Sequence, residues 1–459
     1  MGKKYDFDYI VVGSGPAGST VALKLAKKSK KRVAMIESHT FGGSNLNTRD
    51  IPYAVSLGFS HTFAKLSNYP EIGGQSLHYN FPTVVSHQEH TTSLLAKESF
   101  KKFETTNITC ISGQGQLIDE HTIAVGEKQY TTANFILATG SKLDTGKIVG
   151  LDSVNYLTPD TALKVRRLPK FALVVGGGPT GCEIAEYFAE LGAKVIIMES
   201  ASRLLPKEDE ETSDAITEYF TTELGIMVVT NANVVALEQD NISKRVIFNT
   251  NHQEKFVRID CIVLATGSKP CTDYGLENAN VKYTENGITT NRLFQTSAKN
   301  IYAIGDALGG ESSTELAKYQ ASILSANLIE KAKNLANYKG FIRLVNTYPE
   351  IATIGSTEAE LNKRKIKHKK SIVYLKELPA SKTERLDYGF VKIIADHNNR
   401  ILGATIVAPN AGLMAEEISI AIRHRLTTLE IASTPHIANS FNHAIKLAAK
   451  RILKKQKSA

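Results

Sequence analysis

The residues best placed for chemistry are three glycines and an acid near the N-terminus. Gly13, Gly15 and Gly18 stand in Val11-Val12-Gly13-Ser14-Gly15-Pro16-Ala17-Gly18, and Glu37 lies 24 residues beyond Gly13. Gly13 permits a tight turn, Gly15 lets a pyrophosphate approach the backbone, and Gly18 lets a helix pack close to a strand. The first N–H groups of that helix are unpaired and lie at the positive end of its dipole, so they suit phosphate. A carboxylate at Glu37 can accept hydrogen bonds from the hydroxyls of an adenosine ribose. The alternative is a structural turn followed by a surface acid.

The constellation recurs. Gly176, Gly178 and Gly181 stand in Gly176-Gly177-Gly178-Pro179-Thr180-Gly181, and Glu199 lies 23 residues after Gly176. Each loop follows an apolar run without alternation, Tyr9–Val12 and Phe171–Val175, which reads as a strand buried on both faces. Each precedes a helix face, Val21, Ala22, Leu25 and Ala26 in the first case and Ile184, Ala185, Phe188 and Ala189 in the second. Gly192 predicts the stop of the second helix. The hexapeptide Leu-Ala-Thr-Gly-Ser-Lys occurs at Leu137–Lys142 and again at Leu264–Lys269. Two dinucleotide-binding units, one nested in the other, explain the duplication. At Glu199 a carboxylate accepts a ribose 2′-hydroxyl and repels a 2′-phosphate, which predicts NADH over NADPH.

The elements that must carry these loops fit the length. At ~150 residues per domain, 459 residues make about three domains. The net charge of +9 is spread out apart from Lys363–Lys370 and the lysines from Lys446 onward. No nucleic-acid motif accompanies it, so it reads as a solvated basic surface. No apolar run reaches the ~18 residues of a membrane span, and the first strand begins too early for a signal peptide. Cys110, Cys182, Cys261 and Cys271 fit no zinc or paired redox spacing, which makes a reducing, cytoplasmic setting the default. Cys182 lies in a first helical turn, where a dipole can activate a thiol; a small packed residue is the preferred reading. His61, His78, His87 and His90, with Lys97, show no metal-ligand spacing and read as surface residues, so no metal is expected. In the tail, Ile445, Leu447, Ala449, Ile452 and Leu453 give no wide apolar face. A frayed, solvated helix is expected there, with membrane contact the lesser alternative.

The stretch Gly42-Gly43-Ser44-Asn45-Leu46-Asn47-Thr48-Arg49-Asp50-Ile51-Pro52-Tyr53-Ala54 adds a resemblance. It is similar to the Gly-Gly-Thr-Cys-Leu-Asn-x-Gly-Cys-Ile-Pro motif of the pyridine nucleotide-disulfide oxidoreductases, the family of dihydrolipoamide dehydrogenase and glutathione reductase. Gly42, Gly43, Leu46, Asn47, Ile51 and Pro52 match. Asn45 and Asp50 stand at the two redox cysteines, Arg49 at a glycine, and Tyr53-Ala54 where a lysine usually follows. Thr434 and Asn439 stand where the family carries a His-Glu acid–base pair, with His436 two residues beyond. Asn and Asp cannot replace an attacking thiolate, so the family's disulfide chemistry is not expected.

The resemblance implies an α/β fold of two Rossmann-like domains plus a C-terminal α+β dimerisation domain. Its boundaries are residues 1–150 and 273–338 for the FAD domain, 151–272 for the NAD domain and 339–459 for the dimer domain. It implies FAD at Gly13, Gly15, Pro16, Ala17, Gly18, Glu37, Gly43, Ser44, Gly115, Thr139, Gly140, Asp306 and Ala317. It implies nicotinamide dinucleotide at Gly176, Gly178, Pro179, Thr180, Gly181, Glu199, Val234 and Gly267. Glu183 matches the acid that pairs with the missing lysine, and Asp50 falls beside the flavin; both are the candidate catalytic residues. Asp50 either acts on the flavin by its charge or caps the following helix. The expected protein is a homodimeric, NADH-dependent flavin oxidoreductase passing electrons to a small acceptor: a quinone, a small carrier, oxygen or a nicotinamide. The other reading is a flavin-bound family member with no turnover that acts as a binding or regulatory protein; the missing lysine and bulky Tyr53 favour it.

Overall fold

The computed structural model describes residues 4–29, 31–73, 77–239 and 243–457. Strand Phe7–Val12 is the middle of a parallel sheet ordered Thr109–Ser112, Val33–Glu37, Phe7–Val12, Lys128–Leu137, Ile301–Ala303. Every residue of Val33–Glu37 is buried, as a strand covered on both faces requires. Helix α1 (Pro16–Ser29) packs Val21, Ala22 and Leu25 on one face with α7 (Thr314–Glu330), which returns Ala317, Ala321 and Leu324 to the same cluster. A short antiparallel pair, Gly115–Leu117 and Thr122–Val125, extends the sheet from Lys128–Leu137.

The second sheet repeats the plan in the order Met227–Val229, Lys194–Met198, Phe171–Val175, Cys261–Leu264, all parallel. Helix α5 (Pro179–Glu190) follows its glycine loop, and Gly192 ends that turn in the left-handed region, as expected. Helix α6 (Glu210–Thr222) completes it, beside the antiparallel sheet Ala232–Gln239, Lys244–Thr250, Gln253–Ile259. This second sheet lies in the chain between two strands of the first. The repeated hexapeptides meet there: Ser141–Leu143 pairs antiparallel with Ser268–Pro270, Lys142 opposite Lys269.

Between Val33–Glu37 and Thr109–Ser112 the chain forms α2 (Gly43–Asn47), α3 (Asp50–Ser67) and α4 (Phe81–Thr105), and Tyr53, Leu57, Phe81 and Val85 join the core of the second sheet. The C-terminal part is a five-stranded antiparallel sheet, ordered Ile342–Val345, Glu350–Gly355, Ile401–Ala408, Phe390–Ala395, Lys369–Tyr374. It carries α8 (Glu358–Lys363), α9 (Pro379–Thr383), α10 (Ala411–Arg423), α11 (Thr428–Ser433) and α12 (His443–Lys457).

The tail differs from the expected frayed helix. Ala444, Ile445, Ala448, Ala449 and Ile452 of α12 are fully buried and belong to the C-terminal core. Small alanines complete a stripe that the larger apolar residues do not make alone, and Arg451 anchors it by donating to the Ile372 carbonyl at 2.7 Å. The side chains of Lys455 and Lys457 lie outside the described residues. No described helix is long and apolar enough to cross a membrane.

Lys392 is fully buried in the C-terminal sheet, with Nζ 2.8 Å from Asp209, 2.8 Å from Glu211 and 3.2 Å from Glu358. Arg343 lies 3.4 Å from Glu208, which also accepts from Thr353 at 2.6 Å. The acidic start of α6 is thereby fastened to the C-terminal sheet.

Candidate functional site

Both glycine loops are tight where the protein meets itself and open where a ligand would lie. A Cβ on Gly18 would sit 1.9 Å from the Gly13 carbonyl oxygen, and one on Gly181 would sit 1.9 Å from that of Gly176. No protein atom lies within 4 Å of a Cβ built on Gly15 or Gly178. Packing therefore explains the third glycines, and free space at a helix N-terminus marks the second ones. Pro16 and Ala17, and Pro179 and Thr180, open the two helices.

The acids at the strand ends turn back onto their own loops. Glu37 Oε2 accepts from Ser14 N at 2.9 Å and Ser14 Oγ at 2.6 Å, while Oε1 accepts from His39 N at 3.0 Å. Glu199 Oε2 accepts from Gly177 N at 2.6 Å and Oε1 from Ala201 N at 2.7 Å. Each carboxylate is thus fixed at the mouth of a loop. Ser14, to which the sequence reading assigned no role, also receives Gly42 N at 2.9 Å and so joins the first loop to the second motif. Gly43 follows with φ +66°, and a Cβ there would lie 2.5 Å from Gly15 Cα. Ser44 is exposed beside it.

The remaining expected cofactor positions divide by exposure. Asp306 accepts from Ser141 Oγ at 3.2 Å and from Ser312, in a 3₁₀ turn ahead of buried Ala317 on α7. Thr139 donates to the Cys271 carbonyl at 3.1 Å. Gly140 and Gly267 face open space. Gly115 is packed against Ile123, and Val234 lies in the apolar core beneath the second sheet. The Val234 side chain therefore packs, leaving only its main chain for a cofactor.

At the altered motif, Asn45 Nδ2 donates to Asp50 Oδ2 at 2.7 Å and to Thr314 Oγ1 at 2.7 Å, and Thr314 also donates to Asp50. Asp50 is not a helix cap: the N-cap of α3 is Arg49, and no side-chain bond caps the helix. Arg49 turns away to Asp160 at 2.7 Å, where Thr48 also donates at 2.6 Å. Tyr53 is buried in the core, its hydroxyl on the Pro159 carbonyl at 2.9 Å.

Glu183 is buried, and its Oε1 accepts from Asn346 N at 2.8 Å and Nδ2 at 2.9 Å. Burial pushes its carboxyl up, against those two hydrogen bonds, and Asp50 adds repulsion. A neutral amide from the C-terminal part stands where the resemblance leads one to look for a cation. No sequence motif marks Asn346, because its role depends on a partner 163 residues away.

One histidine corrects the sequence reading, and a second gains a partner from another helix. His61 is not a surface residue: its Nδ1 lies 2.9 Å from Glu190, whose side chain is wholly buried. His78, His87, His90 and Lys97 are exposed, as expected. His436 does have a carboxylate partner, Glu417 of α10 at 3.1 Å, while Thr434 donates to the Glu430 carbonyl. A His–carboxylate pair thus exists near the altered motif, assembled from a different helix.

All four cysteines are free. Burial raises every thiol: Cys110 and Cys271 above the usual range, Cys261 to about 11, and Cys182 well above it. Cys182 is fully buried, so the packing reading holds for it.

The family described as pyridine nucleotide-disulphide oxidoreductase matches residues 7–326, and its dimerisation domain matches residues 341–449. The chain is 30% identical over 450 residues to the mercuric reductase of Bacillus cereus, covering 97% of this chain and 71% of that one. It is 28% identical to the dihydrolipoyl dehydrogenase of Bacillus subtilis, covering 94% and 93%. In fold it is similar to the HOCl-induced flavoprotein disulfide reductase RclA of Escherichia coli in its Cu(II) complex, with TM-score 0.88, 23% identity and 98% and 100% coverage. The doubled loop, the doubled hexapeptide and the C-terminal sheet are explained together: this chain belongs to the flavoprotein pyridine nucleotide-disulphide oxidoreductase family.

Proposed function

We propose that the protein is an NADH-dependent FAD oxidoreductase that delivers electrons from the flavin directly to a non-disulfide acceptor. One observation carries this reading: Asn45 and Asp50, at the two redox-cysteine positions, are joined by a hydrogen bond and have no sulfur to exchange. FAD, when bound, supplies the two-electron centre. Gly13–Gly18 and the N-terminus of α1 would hold its pyrophosphate, Glu37 its ribose and Asp306 its ribityl chain. Gly176–Gly181 and α5 would hold the pyrophosphate of NADH, with Glu199 rejecting a 2′-phosphate. Tyr53 is buried, with its hydroxyl on the Pro159 carbonyl.

The domain limits that fit this reading are residues 1–150 and 273–338 for FAD, 151–272 for NADH and 339–459 for dimerisation. Exposed Leu413, Ile420, Leu429 and Ile437 supply apolar surface for a homodimer. Four free thiols suit a reducing cytoplasm. A flavin-bound protein without turnover is the second reading. It draws on Glu183, which is held by neutral Asn346 rather than by a cation.

Anaerobic mixing with NADH tests both. Bleaching of the yellow flavin, with electrons then passed to a quinone or to oxygen and none to lipoamide or glutathione disulfide, is the expected result. A flavin that stays oxidised supports the silent protein; disulfide turnover overturns the proposal.

A further inference from the structure

Away from the cofactor loops, an imidazole and two carboxylates converge inside the protein. His61 comes from α3, and Glu186 and Glu190 lie one turn apart on α5. One ligand atom from each lies within 4.8 Å of the others. The Glu190 side chain is wholly buried, Glu186 is 0% exposed, and the His61 side chain is 19% exposed, so the cluster opens to solvent on the imidazole side.

The second nitrogen of His61 orients the ring. Nε2 lies 3.1 Å from the Asn346 carbonyl oxygen. A carbonyl only accepts, so Nε2 carries a proton. Nδ1 faces the acids, 2.9 and 3.0 Å from the two oxygens of Glu190, and the neutral form of the ring presents its lone pair to them. This is the arrangement of a metal-binding histidine, oriented by a main-chain carbonyl behind it. Among the described residues His61 is also the only hydrogen-bond partner of the Glu190 carboxylate. If Nδ1 carries no proton, a desolvated carboxylate is left without a donor, a costly state unless a cation fills it. Glu186 is oriented too, both its oxygens accepting from Tyr348 N at 2.9 and 3.0 Å.

We propose that His61, Glu186 and Glu190 bind a divalent cation of the zinc class, through Nδ1 and one oxygen of each carboxylate, with a fourth position for water. Zinc–nitrogen and zinc–oxygen bonds of about 2.0–2.2 Å set tetrahedral ligands about 3.3 Å apart. The His61–Glu190 separation needs to open by only a few tenths of an ångström. The ion would balance two buried carboxylates and tie α3, α5 and the Asn346–Pro349 turn together. The competing arrangement is an imidazolium that donates from both nitrogens and pairs with Glu190.

The test uses the full FAD-bound chain, stripped with chelator and titrated with Zn²⁺ by calorimetry, and with Co²⁺ followed by visible absorption. The expected result is one Zn²⁺ per chain and tetrahedral Co²⁺ bands. Glu190→Gln and Glu186→Gln, which keep side-chain shape, and His61→Ala should each weaken binding at least tenfold. FAD content and circular dichroism show which variants remain folded, and any one folded variant suffices. No stoichiometric uptake by the wild type, or uptake undiminished in a folded variant, overturns the site and assigns His61 as an imidazolium.

Discussion

The amide of Asn45 touches the carboxylate of Asp50 at 2.7 Å, and both touch Thr314 at the start of α7. The pair closes the same loop that a disulfide closes in the matched motif, but through a hydrogen bond to a charged group, worth about 1.5–3 kcal/mol. Such a contact holds geometry and carries no redox state.

On the proposed reading Asp50 would lie beside the flavin, where a carboxylate disfavours an anionic reduced ring. Asp50 is exposed, so its field is screened to the order of 1 kcal/mol at ~4 Å. Asp50→Asn keeps the size and should raise the flavin midpoint potential by about 20 mV for two electrons. Anaerobic dye titration measures this; an unchanged or lower potential removes the electrostatic role.

Gly178 faces free space with its φ at −75°, so a side chain there meets no protein atom. Gly178→Val should leave thermal stability and FAD content unchanged. The rate constant for reduction by NADH, kcat/KM, should fall at least ~10-fold, about 1.4 kcal/mol of lost binding. Equal reduction by variant and wild type would place NADH elsewhere.

Glu199, fixed by Gly177 and Ala201, should decide between nicotinamides. Glu199→Ala should shift the ratio of kcat/KM for NADH over NADPH toward NADPH by about tenfold. Stopped-flow reduction with both cofactors reads the ratio directly.

Lys392 faces three carboxylates with no solvent. Lys392→Met leaves Asp209, only 3% exposed, without its ion pair and should destabilise the protein by roughly 3–5 kcal/mol. Burial opposes the charged forms of Glu211 and Glu358, but hydrogen bonds from Lys392 and Lys370 outweigh it and lower both carboxyls. A lowered folded-state value means stability that is complete above the ordinary carboxylate range and lost as pH falls through the folded value. The wild type should therefore lose stability on acidification below about pH 4.5, and Lys392→Met should lose less. Urea midpoints across that range test the difference.

Sequence reading succeeded wherever one short segment states its own reason. Gly13, Gly18, Gly176 and Gly181 are forced by contacts within a few residues or with the neighbouring strand. It missed what only distant segments build. His61 reads as a surface residue until Glu190 and Asn346 arrive from other elements. Asn346 carries no motif, and Glu417 lies 19 residues from the histidine it faces. α12 looked too sparse because three of the five residues in its buried stripe are alanine, which weighs little in an apolar pattern but packs closely against the sheet. Lys392 lies in a fully buried strand, and its three acids come from segments far away in the chain.

The pairing of Ser141–Leu143 with Ser268–Pro270 has one more consequence. The chain leaves the first sheet and re-enters it beside the strand it left, so the intervening segment is inserted through a two-strand stem. Leu143 stands opposite Ser268, and a short bridge between them would restore a continuous chain without threading anything. Such a stem lets one unit be traded, trimmed or retuned for a new reductant while the host sheet keeps its strand order.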